Sequence, residues 1–142
     1  MEAPLVGLIL DSSILVTAER DGITAIDVIR SLREAIADLP VAVCAMTIAE
    51  LGHGIYRAKS LQRAQQRRQF LDELKAHVPI HAITESTAEM IARIGGQQAE
   101  KGVNLPLADL IIGACALELG YAVATRNPRD FLRIPGLDVR QL

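Results

Sequence analysis

Short apolar runs alternate with longer helix-patterned stretches along the whole chain, and that alternation narrows the fold more than any other feature. "PLVGLIL" (4–10), "VAVC" (41–44), "IHAI" (80–83), "YAVAT" (121–125) and "LDVRQL" (137–142) have the length and composition of strands. Between them, "SSILVTAER" (12–20) reads as a short helix that Gly22 ends. The stretch 24–39 has apolar residues at Ile26, Ile29, Leu32, Ile36 and Leu39, one face of an amphipathic helix that Pro40 stops. Helices are also expected over 46–59, 60–78 and 85–102, the last weakened by Gly95-Gly96. The stretch 105–120 is apolar nearly all round, with Pro106 near its start and Gly120 just past its end. "NPRDFLRIPG" (127–136) reads as a loop with one helical turn.

Such an order predicts an α/β fold: a three-layer sandwich whose central, mostly parallel sheet of about five strands is flanked by helices. The 142 residues fit one domain with a real core, and half of them are apolar. A net charge of −2 gives no overall footprint for nucleic acid, although acidic site residues can mask a local basic patch. Cys44 and Cys115 form no C-x-x-C or metal-spaced motif and are expected as buried, reduced thiols in a cytoplasmic protein. The Met-Glu opening has no signal-peptide pattern. The longest apolar run, 110–117, is far too short to span a membrane, so no membrane partner is expected.

Asp11 stands inside the otherwise apolar "LILDSSILV". An isolated carboxylate in an apolar interior costs several kcal/mol or more unless it is paired, metal-bound or protonated. Ligands of parallel sheets bind outside the carboxyl ends of strands, and Asp11 directly follows the first strand, at a site mouth. Other polar groups occupy comparable places: Glu50, Asp109, Thr125, Asn127 and Asp130. Each also has a plain structural role open to it. Asp11 can cap a helix. Thr47 and Glu50 fit a capping box, as do Ser86 and Glu89, and Asp109 can complement a helix dipole. For Asp109 the apolar helix argues otherwise: Glu118, nine residues on, marks the solvent side, and Asp109 points away from it with no Lys or Arg on its own helix. Carboxylates gathered without a cation repel one another. With oxygen ligands and no Cys/His cluster, the fitting cation is Mg²⁺ or Mn²⁺, which can polarise a phosphate and activate water.

"LILDSSILV", "MTIAELGHGI" and "LPLADLIIGACALELGYAVATRNPRDF" resemble, in order and separation, the motifs of the PIN domain, and most closely those of VapC toxins of bacterial toxin–antitoxin pairs. The resemblance covers essentially the whole chain, 1–142, as a single PIN domain. It implies a PIN-like three-layer sandwich and a Mg²⁺- or Mn²⁺-dependent endoribonuclease. It implies that Asp11, Glu50 and Asp109 are the first three acids and metal ligands, that Ser13 helps to orient Asp11, and that Thr125 lies near the site. The fourth acidic position falls on Asn127, an amide that keeps an oxygen ligand but loses a charge. Asp130 could compensate, or could cap the turn at Phe131. The implied partners are an RNA substrate and a VapB-like antitoxin. A homodimer is expected from apolar helix faces larger than a small sheet needs.

Two other α/β classes fail on the residues. A receiver-like domain needs an Asp after the third strand, and "IHAITEST" has none; an aspartyl phosphatase needs Asp-x-Asp after the first, and position 13 is Ser. A catalytically weakened PIN-fold module that binds RNA or protein stays open because of Asn127. His53, His77 and His81 lack ligand spacing and read as structural or exposed. Arg63, Arg67 and Arg68 read as a solvated face or a phosphate-contacting edge, and Gly52 and Gly54 as allowing close helix packing.

Overall fold

In the computed structural model, residues 4–36 and 38–142 are described. The expected helix 24–39 includes position 37 and the N-terminal opening includes 1–3, which lie outside the described residues. The elements run β1 (Leu8–Leu10), α1 (Ser12–Arg20), α2 (Ala25–Ile36), β2 (Val41–Cys44), α3 (Ala45–Tyr56), α4 (Leu61–His77), β3 (Ile80–His81), α5 (Glu85–Glu100), α6 (Leu107–Leu119), β4 (Ala122–Thr125), a 3₁₀ turn at Phe131–Arg133, and β5 (Val139–Gln141). The strands form one sheet in the order β3-β2-β1-β4-β5. Every neighbouring pair is parallel, so the expected "mostly parallel" sheet is parallel throughout.

Alternation along the strands sorts the core into two layers. Leu8 and Leu10 of β1, Val41 and Val43 of β2, and Ala122 and Ala124 of β4 face a layer closed by Leu15, Ile29, Leu32, Phe70 and Leu74 from α1, α2 and α4. Ile9 and Val123 face the other way, onto Ile94 of α5, Ile112 and Ala116 of α6, and Phe131. Burying each of these larger aliphatic side chains contributes about 1.5–3 kcal/mol. Gly95-Gly96 does not weaken α5, which runs on to Glu100. A Cβ on Gly95 would stand 2.9 Å from Leu110 Cδ2, so a larger residue here would have to push the end of the Leu110 side chain aside.

The strand order creates a switch point. From β1 the chain builds outward to β2 and β3, then crosses back to β4 and β5 on the other side. β1 and β4 are neighbours with Leu10 beside Ala124, and the Asp11 N–H donates to the Ala124 carbonyl at 2.9 Å. A crevice must open where adjacent strands send their connections apart, and Asp11 and Thr125 stand there.

Candidate active site

Asp11 is buried, 6% exposed, on the floor of that crevice and not at its mouth. It occupies the N-cap position of α1, yet its side chain caps nothing. The Ser13 hydroxyl donates to Asp11 Oδ2 at 2.7 Å and the Thr125 hydroxyl donates to the same oxygen at 2.8 Å. Each hydroxyl also accepts a backbone N–H from the loop after β4: Ser13 Oγ from Arg126 at 3.1 Å, Thr125 Oγ1 from Asn127 at 3.0 Å. These acceptances leave both hydroxyl protons for Asp11. Hydrogen bonds to a charged group are worth about 1.5–3 kcal/mol, which offsets much of the burial cost. Both bonds go to Oδ2, so neither hydroxyl occupies Oδ1.

Glu50 comes from α3. That helix starts at Ala45 with Cys44 as its cap, so Thr47 and Glu50 lie inside the helix and make no capping box. Glu50 Oε1 is the one carboxylate oxygen buried without a hydrogen-bond partner among the described residues. Burial pushes the Glu50 carboxyl above its ordinary pKa, with the charges of Asp11 and Asp109 adding to it and the Ser12 hydroxyl opposing. Asp109, in the first turn of α6, is pushed up to about 6, first by burial, then by the charges of Asp11 and Asp130. The three acids thus share one electrostatic field.

The cleft holding Asp11 and Asp109 has a volume of about 600 Å³ and is also lined by Asn127 and Asp130. Asp130 sits at the N-cap position of the 3₁₀ turn without making a cap bond. It belongs to the acidic cluster, and the cap reading is set aside. Neither Cys nor His lines the cleft.

A family model described as PIN domain matches residues 8–137. The chain belongs to the PIN-domain family. It is 28% identical over 134 residues to a protein of Rickettsia bellii named Ribonuclease VapC, covering 94% of each chain. Its fold is similar to that of VapBC2 from Rickettsia felis bound to a DNA fragment from their promoter, with a TM-score of 0.80, 21% identity, and coverage of 95% and 98%. It is also similar to VapBC-5 from Mycobacterium tuberculosis, with a TM-score of 0.71, 25% identity, and coverage of 96% and 98%. PIN-domain nucleases generally use divalent metals. Among the described residues, no helix is long and apolar enough to cross a membrane.

Several surroundings of this PIN domain's cleft differ from the sequence expectation. Glu118 does not mark a solvent face. It accepts a hydrogen bond from the Thr87 hydroxyl at 2.6 Å and stands 3.2 Å from His81 Nε2. Ser86 and Glu89 form no capping box, because α5 is capped by Thr84 and Thr87. The arginines of α4 are not a free face: Arg63 pairs with Glu19 at 3.1 Å, Arg67 donates to the Gly54 carbonyl at 2.6 Å, and Arg68 donates to the Tyr56 hydroxyl at 3.3 Å. Gly52 and Gly54 meet no close helix neighbour; a Cβ on Gly54 would reach only Arg67, at 3.9 Å. The basic groups on the cleft are instead Arg126 and Arg129. Their signal was present in "TRNPRD", where Arg126 and Arg129 stand on either side of Asn127-Pro128, just before Asp130.

Proposed function

We propose that this PIN domain is a metal-dependent endoribonuclease of the VapC kind, hydrolysing phosphodiester bonds of single-stranded RNA. The observation that carries the reading is the buried Asp11 carboxylate, held on one oxygen by Ser13 and Thr125, with Glu50 and Asp109 near enough for its charge to raise both their carboxyls. Glu50 Oε1, buried and unpartnered, is the kind of oxygen a cation would satisfy. An all-oxygen donor set without sulfur or imidazole fits Mg²⁺ or Mn²⁺. Asp11, Glu50 and Asp109 would hold it, and when bound it would polarise the scissile phosphate and lower the pKa of a water nucleophile.

The chain's own groups do the rest. Ser13 and Thr125 fix the Asp11 carboxylate, so its other oxygen keeps one direction. Arg126 and Arg129 at the cleft rim bind phosphate oxygens and set the register of the RNA. The Asn127 side chain offers an amide N–H or a carbonyl oxygen where the family motif has an acid, and Asp130 supplies the missing charge from three residues on.

A second reading rests on Asn127: a PIN-fold module weakened in catalysis that binds RNA or protein without cutting. Purified protein incubated with single-stranded RNA separates the two. The nuclease reading expects cleavage that Asp11→Asn abolishes while circular dichroism stays native. RNA that is bound but never cut, by wild type and variant alike, supports the weakened module. The proposed partners are a VapB-like antitoxin and a second copy of the chain. Val16, Tyr56 and Leu61, 48%, 81% and 75% exposed, leave apolar surface on α1, α3 and α4 for them. Light scattering at micromolar concentration is expected to give a dimer; a monomer contradicts that part.

A further inference from the structure

A second group of ligand-type side chains gathers at the far end of α6, outside the acidic cleft. A ring nitrogen of His81, the sulfur of Cys115 and a carboxylate oxygen of Glu118 all lie within 4.8 Å of one another. Among the described residues no other trio of His, Cys, Asp or Glu gathers so tightly, the cleft acids included. Cys115 and Glu118 are three residues apart on α6 and share one side of it. His81 ends β3, in register with Cys44 of β2, and Cys44 Sγ lies 3.1 Å from Cys115 Sγ. Glu118 is nine residues from Asp109, about 13 Å along the helix axis.

We propose that His81, Cys115 and Glu118 form a binding site for a divalent transition-metal ion of borderline softness, Zn²⁺ by its chemistry, distinct from the acidic cleft. One sulfur, one imidazole nitrogen and one carboxylate oxygen are zinc donors, and a thiolate disfavours Mg²⁺, Ca²⁺ and Mn²⁺. One edge of the coordination polyhedron is already close to size. His81 Nε2 and Glu118 Oε1 are 3.2 Å apart. Two such ligands about 2.0–2.1 Å from a tetrahedral zinc would stand roughly 3.4 Å from each other.

The outer partners are in place as well. The Thr87 hydroxyl donates to Glu118 Oε1 at 2.6 Å and accepts the Thr84 N–H at 3.0 Å, so the cap of α5 fixes the carboxylate. The Cys44 thiol stands behind Cys115 and can donate to its sulfur once that sulfur is a thiolate. Access is from the rim: the His81 and Glu118 side chains are 24% and 16% exposed, while Cys115 is fully buried behind them. An ion would enter past the imidazole and carboxylate and meet the sulfur last.

Cobalt(II) and zinc test the site on the purified, metal-stripped full chain, kept reduced with a non-thiol reductant. Co²⁺ should give a sulfur-to-metal charge-transfer band, which an all-oxygen cleft cannot produce. Zn²⁺ should abolish that band at one equivalent per chain. Cys115→Ser should remove the band. Because Cys115 is buried and its variant could fail to fold, His81→Ala on the rim is the second probe, and it should weaken Zn²⁺ binding about tenfold or more, no less than the loss of an outer partner costs elsewhere. No charge-transfer band in wild type, or Zn²⁺ affinity unchanged in a folded His81→Ala protein, would overturn the proposal.

Discussion

Two carboxylates on α6 behave in opposite ways. Asp109 lies in its first turn, where the helix dipole favours a negative charge, yet its carboxyl is pushed up to about 6. Glu118 lies in the last turn, where the dipole opposes an anion, yet it is held below its ordinary value. Hydrogen bonding from Thr87 is the largest cause there, with His81 helping. The dipole, worth about 0.3–1 kcal/mol, therefore loses at both ends to the immediate neighbours. Asp109 is surrounded by Asp11 and Asp130; Glu118 has a hydroxyl and an imidazole. One acid is met by hydrogen-bond donors of the protein, and the other stands among like charges. That contrast in immediate neighbours sets the two carboxylates apart.

The largest effect expected from breaking the acidic cluster is on catalysis. Asp11→Asn should lower RNA cleavage by at least about 100-fold, with native circular dichroism, because removing a ligand should cost no less than removing its outer support. Thr125→Val and Ser13→Ala, which remove that support from Asp11 Oδ2, should each cost about tenfold in cleavage rate. A loss as large as that of Asp11→Asn would mean that the hydroxyls act on the reaction directly.

Smaller effects should appear in stability, and with opposite signs at the two ends of α6. Glu118→Ala removes the acceptor for Thr87 and should destabilise the protein by about 1–2 kcal/mol in urea. Asp109→Asn should stabilise the metal-free protein at pH 7.5 by about 1 kcal/mol once solvent screening is allowed for. Equal signs for the two variants would erase the contrast.

The pH dependence follows from the same shifts. A carboxyl whose folded-state value is raised binds protons more readily folded than unfolded. The stability of the metal-free protein should therefore rise as pH falls from 7.5 through about 6, as Asp109 takes up a proton, and the raised Glu50 carboxyl acts in the same direction. Glu118, depressed in the folded state, contributes stability above its unfolded value near 4.5 and loses it as pH falls further. Thermal unfolding in EDTA should thus show a maximum on the acid side of neutrality. Asp109→Asn should flatten its neutral flank. Stability that rises steadily from pH 5 to 7.5 would contradict the raised carboxyls.

Most of the fold was legible in the sequence because hydrophobic period and helix-stop residues are local signals. The helix of 12–20 and the strand of 41–44 begin and end where their patterns do, and Gly120 closes α6 with φ 71°. Among the acids, Asp11 was legible as an anomaly, a charge in an apolar run at a strand end. The caps were less so: α3 and α5 each start earlier than their T-x-x-E and S-x-x-E spacings suggest. Least legible was everything made by contacts between distant segments. Thr125 reaches Asp11 across 114 positions, and His81 reaches Glu118 across 37. No spacing rule along one helix reveals that Glu118 has partners on β3 and α5, and so it passed for a surface acid.

The most direct test of the acidic cleft is a single-turnover cleavage assay on a labelled single-stranded RNA. Metal-stripped protein in EDTA should cut nothing, and Mn²⁺ or Mg²⁺ added in excess should restore cleavage in wild type but not in Asp11→Asn. Cleavage that persists in EDTA, or that Asp11→Asn performs as well as wild type, would contradict a cation held by Asp11, Glu50 and Asp109.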